Sequence, residues 1–182
     1  MVEYHIFVDG SINDQSKTYR QKHKRKAGIG VFIPTNEYIE EIRISEPFPL
    51  ENPTNIRAEW WAVIRSLMFV LQKHESDTIE EIQKIQVNIY CDCNNVVLSI
   101  QKWISQWKKR NWRKSNKKPV ENREIIEQVD SIIQTKLPRT KIIKVKSHQP
   151  KPNNIESREY WLWNGNYVAD KLANEGRYKN IS

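Results

Sequence analysis

The chain has 182 residues, which at roughly 150 residues per domain leaves room for one compact core and excludes a multidomain enzyme. Thirty Lys+Arg against 22 Asp+Glu give a formal charge of +8 and a pI near 9.4, which excludes acidic disorder and points to a polyanion, nucleic acid or an anionic membrane surface, as partner. The longest apolar runs, such as Leu67 to Leu71, fall far short of the ~20 residues of a membrane helix, and no charged-then-apolar signal opens the chain. A soluble intracellular protein, not secreted and either cytoplasmic or at a nuclear or viral replication site, is therefore expected. Only two cysteines, Cys91 and Cys93, occur, and at strand spacing their side chains would face opposite ways, which disfavours a disulfide and suits a reducing compartment.

Tyr4 to Val8 is β-rich, and Asp9-Gly10-Ser11 reads as a turn that stops the strand with a carboxylate at its end. A polar, basic connection over 13–26 leads to a second strand, Ala27 to Ile33, so that the two runs resemble a hairpin. Tyr38 to Ile44 alternates well enough for a third strand with one face in water. The proline-rich stretch Ser45 to Pro53 is expected to be irregular, with Thr54 capping a long helix that runs to about His74. Ile56, Glu59, Val63, Leu67 and Val70 share one face of that helix. Glu59 is the polar exception there, although a carboxylate in the first two turns also suits the helix dipole.

Gln86 to Cys91 forms a further strand with Asp92 at its end, and Asn94 to about Gln106 is helical. Residues 102–118 carry eight Lys/Arg and no acid, with Trp103, Trp107 and Trp112 interleaved. Cations beside rings are what a nucleic-acid groove uses, although a charge run is also an ordinary solvated face. Glu121 to Leu137 is an amphipathic helix, Lys141 to Lys146 a strand, and Tyr167 to Glu175 a closing helix that carries Asp170 near its start. The order βββ-α-β-α-α-β-α predicts an α/β fold: a mixed five-stranded sheet, three strands antiparallel and two parallel, flanked by helices. Acids then arrive from four separate elements, and carboxylates converging in a basic protein call for a divalent cation.

These fragments together resemble a type 1 ribonuclease H along nearly the whole chain. Val8-Asp9-Gly10-Ser11 is similar to that family's first motif, Thr54-Asn55-Ile56-Arg57-Ala58-Glu59 to its helix start, and Tyr90-Cys91-Asp92-Cys93 stands where the family usually has Asp-Ser. Residues 102–118 resemble its basic handle, Val145-Lys146-Ser147-His148 its histidine loop, and Asn166-Tyr167-Val168-Ala169-Asp170-Lys171-Leu172-Ala173 its last motif.

The resemblance implies one catalytic domain over 1–182 that hydrolyses the RNA strand of RNA/DNA hybrids with two Mg²⁺ ions, Mn²⁺ substituting. It implies metal ligation by Asp9, which bridges both ions, by Glu59 and Asp92 on one, and by Asp170 on the other, with His148 moving protons or helping product leave. Gly10, Ser11 and Ile12, with Asn55 and Glu59, would read the RNA 2′-hydroxyl. Thr54 and Asn122 match a pocket for a DNA phosphate, Trp103 and Ser115 a DNA-strand channel, and Lys108, Lys109 and Arg110 phosphate contacts in the handle.

Three departures from the family pattern stand out. Ile56 replaces an amide, Asn95 stands where some members have an aromatic, and His148 precedes Asp170 by 22 positions, which implies an extended histidine loop over about 148–165. The Cys-x-Cys pair is too small a ligand set for a closed zinc site. No obligate protein partner is called for, a monomer is expected, and the first motif lying within ten residues of Met1 favours a stand-alone enzyme. The alternatives are another nuclease or integrase of the same architecture on a different nucleic acid, or a hybrid-binding module with weak catalysis. The latter predicts a missing acid, and none is missing.

Overall fold

A computed structural model describes residues 1–13 and 25–180. Its five-stranded sheet comprises β1 (Glu3–Asn13), β2 (Lys26–Ile33), β3 (Ile42–Pro47), β4 (Gln86–Cys91) and β5 (Thr140–Lys144) in the order β3-β2-β1-β4-β5. β1 pairs antiparallel with β2 and β2 with β3, whereas β4 lies parallel to β1 and β5 parallel to β4. The expected mixed sheet is thus observed, and most of the basic connection before β2 falls outside the described residues.

Two strand boundaries depart from expectation, both because pairing outweighs local turn propensity. β1 does not stop at Asp9: its ladder with β2 continues through Asp9↔Gly30 and Gly10↔Ile29 to Asn13↔Lys26, so Asp9 lies within the strand. β3 starts at Ile42 rather than Tyr38, because β2 supplies no partner beyond Ile33, and it reaches Pro47 opposite Gly28. A proline is admissible there because β3 is the sheet edge.

Helix α1 (Asn55–Lys73) begins as expected, with the Thr54 side chain accepting from the Arg57 N–H. A short helix not anticipated, α2 (Ile79–Ile82), opens with a reciprocal Thr78/Glu81 capping box. α3 (Asn94–Leu98) leads through a π-helical turn, Ser99–Trp103, into α4 (Ile104–Lys109), and α5 (Arg123–Thr135) follows. Cys91 ends β4 and Cys93 precedes α3, and both are free.

The last helix, α6, runs from Arg158 to Gly176. The expected loop to 165 is therefore helical over its second half, and Asp170 sits in the second half of α6 rather than near its start. Ser157 caps the helix by accepting from the Tyr160 N–H, and Trp161 docks against Phe7 and Tyr90 at ring-centroid distances of 4.9 and 5.2 Å. Burying that indole stabilises two extra turns.

The sheet separates two cores. The larger is built on α1, α3 and α5 and contains Ile6, Val8, Trp60, Val63, Leu67, Ile89 and Ile125. The smaller lies under α6 and contains Phe7, Phe32, Tyr90, Val145, Val168 and Leu172. Glycines govern how closely α6 seats. A Cβ on Gly30 would lie 2.1 Å from the Ala169 carbonyl oxygen, and one on Gly28 2.3 Å from that of Ala173.

Candidate active site

Asp9 on β1, Glu59 on α1 and Asp92 just beyond β4 bring carboxylate oxygens within 4.8 Å of one another. Parallel pairing of β1 and β4 places Val8 opposite Cys91, so Asp9, still within β1, and Asp92, just past the end of β4, come side by side. Glu59 joins them because α1 packs on β1 without an intervening side chain: a Cβ on Gly10 would meet the Glu59 nitrogen at 2.3 Å. The Gly10 N–H in turn donates to Asp9 Oδ1 at 2.9 Å and to Glu59 Oε2 at 3.2 Å.

Asp9 and Glu59 are buried. Burial, reinforced by Glu59 and Asp92, holds the Asp9 carboxyl well above the usual carboxylate range. Burial raises Glu59 likewise, with the Cys93 thiol and Asp92 adding to it. Asp92, half-buried, is also raised by burial, against the lowering influence of Asn166 and Lys144. Such a cluster of hard oxygen donors, short of positive charge, could hold a metal ion.

Asp170 lies outside this tight triad, on the exposed rim. It lines a cleft of about 260 Å³ together with Asp92, His148 and Asn166, so α6 and the segment after β5 meet beside Asp92 of the triad. Three supporting residues were not singled out from the sequence. Asn174 accepts from Ser11 Oγ at 2.6 Å and donates to Asp170 Oδ2 at 3.2 Å. Asn166 Nδ2 approaches Asp92 Oδ2 at 3.5 Å, and the Lys144 ammonium donates to the Asp92 carbonyl. Asn166 and Asn174 sit one turn either side of Asp170 on α6, and that i, i+4 spacing was the signal available.

The substrate-binding candidates separate into two groups. Trp103, Ser115, Asn122 and Arg110 line a single groove of about 620 Å³, with Ile56 and Asn95 on its wall. Thr54 and Asn122 are joined by Arg57, which donates from its terminal nitrogen to Asn122 Oδ1 at 2.9 Å and pairs with Glu124 at 2.7 Å. The Arg57 Nε is buried without a hydrogen-bond partner among the described residues. Asn55 is exposed at the start of α1, and the Ile12 carbonyl accepts from Arg177.

The handle is less uniform than its charge suggests. Trp112 is buried, with Arg123 over its ring at 5.1 Å, and so serves the core rather than a binding face. Lys108 is paired with Asp130, whereas Lys109 and Arg110 are exposed and make no ion pair among the described residues.

A mixed sheet in the order 3-2-1-4-5, with a carboxylate cluster gathered on its adjacent parallel strands and α1 that could hold a metal ion, has the arrangement of a nuclease of nucleic-acid phosphodiesters. The family model for RNase H matches residues 2–178, and the chain belongs to the RNase H family, whose activity is cleavage of the RNA strand in RNA/DNA hybrids.

A ribonuclease H of Nitrosomonas eutropha is 31% identical over 97% of this chain and 90% of its own length. One of Clostridium botulinum is 30% identical over 93% and 92%. The solved RNase H domain of PFV superposes with a TM-score of 0.69 at 26% identity, covering 97% of this chain and 96% of that one. LC11-RNase H1, solved with an RNA/DNA hybrid, shares the fold with a TM-score of 0.61 at 20% identity, over 94% of each chain. Among the described residues no helix is long and apolar enough to cross a membrane.

Proposed function

We propose that the chain acts as a monomeric intracellular endonuclease on RNA/DNA hybrids, with Mg²⁺ as its physiological metal and Mn²⁺ as a substitute. The observation that carries this reading is the Asp9, Glu59 and Asp92 triad, with Asp170 facing Asp92 across the adjoining cleft. When bound, two divalent ions would supply an activated water and charge neutralisation for the leaving oxygen of the scissile phosphate. Asp9 would bridge them, Glu59 and Asp92 would hold one, and Asp170 the other. Asn166 and Lys144 orient Asp92, and Asn174 orients Asp170.

The remaining residues bind and select. The backbone of Gly10, Ser11 and Ile12, with Asn55 and Glu59, reads the 2′-hydroxyl that separates RNA from DNA. Thr54 and Asn122, held together by Arg57, take a phosphate of the DNA strand. Trp103 and Ser115 guide the DNA strand along the groove, Lys109 and Arg110 hold its phosphates, and Lys108 contributes less because Asp130 already neutralises it. His148, on the cleft rim, carries a proton or aids product departure. The two free cysteines fit a reducing setting.

The deciding experiment incubates a labelled RNA/DNA hybrid beside matched double-stranded RNA, single-stranded RNA and double-stranded DNA, with and without Mg²⁺. Cleavage should be confined to the RNA strand of the hybrid and vanish in EDTA. Asp9→Asn and Asp92→Asn should abolish it while hybrid binding persists, and activity within about threefold of wild type in either variant contradicts the metal assignment.

A further inference from the structure

His148 belongs to the segment between β5 and α6, which lacks regular structure over residues 145–157, so no backbone ladder secures its side chain. Its φ of 52° is left-handed, an uncommon conformation for a residue with a Cβ that local contacts help to hold. One such contact comes from α6: Trp163 Nε1 donates to the carbonyl of Gln149, the residue after His148, at 3.0 Å. Gln149 Nε2 then donates to the Ser147 carbonyl at 3.0 Å, which closes the turn around His148 from the other side.

Trp163 is itself held. Its ring lies between those of Tyr160, at 5.7 Å, and Tyr167, stacked at 5.1 Å with an interplanar angle of 14°. The Lys151 ammonium, from the same segment, sits 5.8 Å from the Tyr160 ring and 5.9 Å from that of Trp163. Spacings of three and four put these aromatics on one stripe of α6, while Trp161 faces the small core. The residues that extend this helix beyond its expected start therefore divide their work, Trp161 fixing α6 to the sheet and Trp163 facing the cleft with Asp92, His148 and Asp170.

We propose that Trp163 is a positioning residue for His148, its indole N–H and aromatic brace fixing the arm that presents the imidazole to the carboxylate cleft. The inference rests on His148 acting in hybrid cleavage. An indole nitrogen can only donate, so loss of this bond hands the Gln149 carbonyl to water: the fold changes little, but the reacting geometry loosens.

The test measures kcat and KM for hybrid cleavage, with thermal melts, in Trp163→Phe, His148→Ala and the double variant of the full chain. Trp163→Phe keeps a stacked ring and loses the donor. It should lower kcat by about three- to tenfold at unchanged KM, yet change kcat by less than about twofold when His148 is already Ala. Tyr167→Leu, which removes the brace and spares the donor, should give a smaller kcat loss that likewise disappears without His148. Equal losses in the presence and absence of His148 would overturn the proposal, as would a raised KM at constant kcat, which would make the aromatic stripe a wall for substrate. His148→Ala with wild-type kcat would defeat the role of His148 together with the proposal, whereas normal dependence on His148 with no effect of Trp163→Phe would overturn the proposal alone.

Discussion

Replacing Asp9 with Asn separates what the acidic cluster does for chemistry from what it does to the fold. Asn keeps the acceptor for the Gly10 N–H and offers Glu59 a donor in place of a second negative charge. Carboxylate oxygens in the triad lie within 4.8 Å of one another, where two unit charges repel by about 3.5 kcal/mol at an effective dielectric constant of about 20. Proton uptake already relieves part of this, since the Asp9 carboxyl titrates well above its ordinary range. Neutralising Asp9 should therefore stabilise the metal-free fold by about 1–3 kcal/mol. At about 2–4 °C per kcal/mol for a domain of this size, Tm should rise by roughly 2–12 °C.

The sign of the pH dependence follows from the direction of the shift. A carboxyl with a raised folded-state pKa penalises the fold above its unfolded pKa of about 3.9, and the penalty grows until the folded pKa is passed. The advantage of Asp9→Asn in EDTA should thus be present at neutral pH and shrink on acidification toward pH ~4. Added Mg²⁺ should reverse the order by stabilising wild type through mass action far more than the variant. Scanning calorimetry in EDTA and in Mg²⁺ at both pH values supplies the comparison. A variant that melts at or below wild type in EDTA at neutral pH would refute the reasoning.

Three further outcomes are expected. His148→Ala should retain hybrid cleavage at a rate lower by about one to two orders of magnitude with unchanged Mg²⁺ dependence, and complete loss would move His148 into the metal-binding set. Replacing Lys108, Lys109 and Arg110 with Ala should raise KM far more than it lowers kcat and flatten the salt dependence of binding. Single substitutions should place most of the effect on Lys109 and Arg110, and a dominant Lys108 would contradict its pairing with Asp130. Trp161→Ala should leave KM unchanged and cost about 2–3 kcal/mol, below the range for a fully buried tryptophan because the ring is partly exposed, so Tm should fall by roughly 4–12 °C.

The acids were legible because each stands in a distinctive local sequence, and Asp9, Glu59 and Asp92 do meet in space. Their supports were not, because Asn166, Asn174 and Lys144 take meaning only once α6 and β5 are laid beside β4. Asp9-Gly10-Ser11 carries the composition of a turn, yet fourteen paired residues of β1 and β2 keep it extended, an energy that local propensity does not contain. The reverse holds for α6. Ser157 is an ordinary helix cap, and Trp161, Gly165, Ala169 and Ala173 follow at steps of four, so the early start of the helix was readable from a stripe of small residues behind one large ring. Charge alone misled in the handle, where Trp112 and Lys108 look available in sequence but are engaged by Arg123 and Asp130.

Gly28 and Gly30 give α6 a seat with no padding. Most helices rest on side chains whose rotamers can shift to absorb a neighbour's change, so their height above a sheet is adjustable. Here backbone rests on backbone, and the height is set by atomic radii. Asp170 rides one residue beyond Ala169, the very carbonyl that a methyl on Gly30 would strike. The gap between Asp170 and the rest of the acidic cluster is consequently gauged by the thinnest part of the molecule, and substitutions in the large core can be absorbed without altering it. A single added carbon at position 30, across the ladder from Asp9, would meet the Ala169 carbonyl and lift the Asp170 carboxylate away from the others.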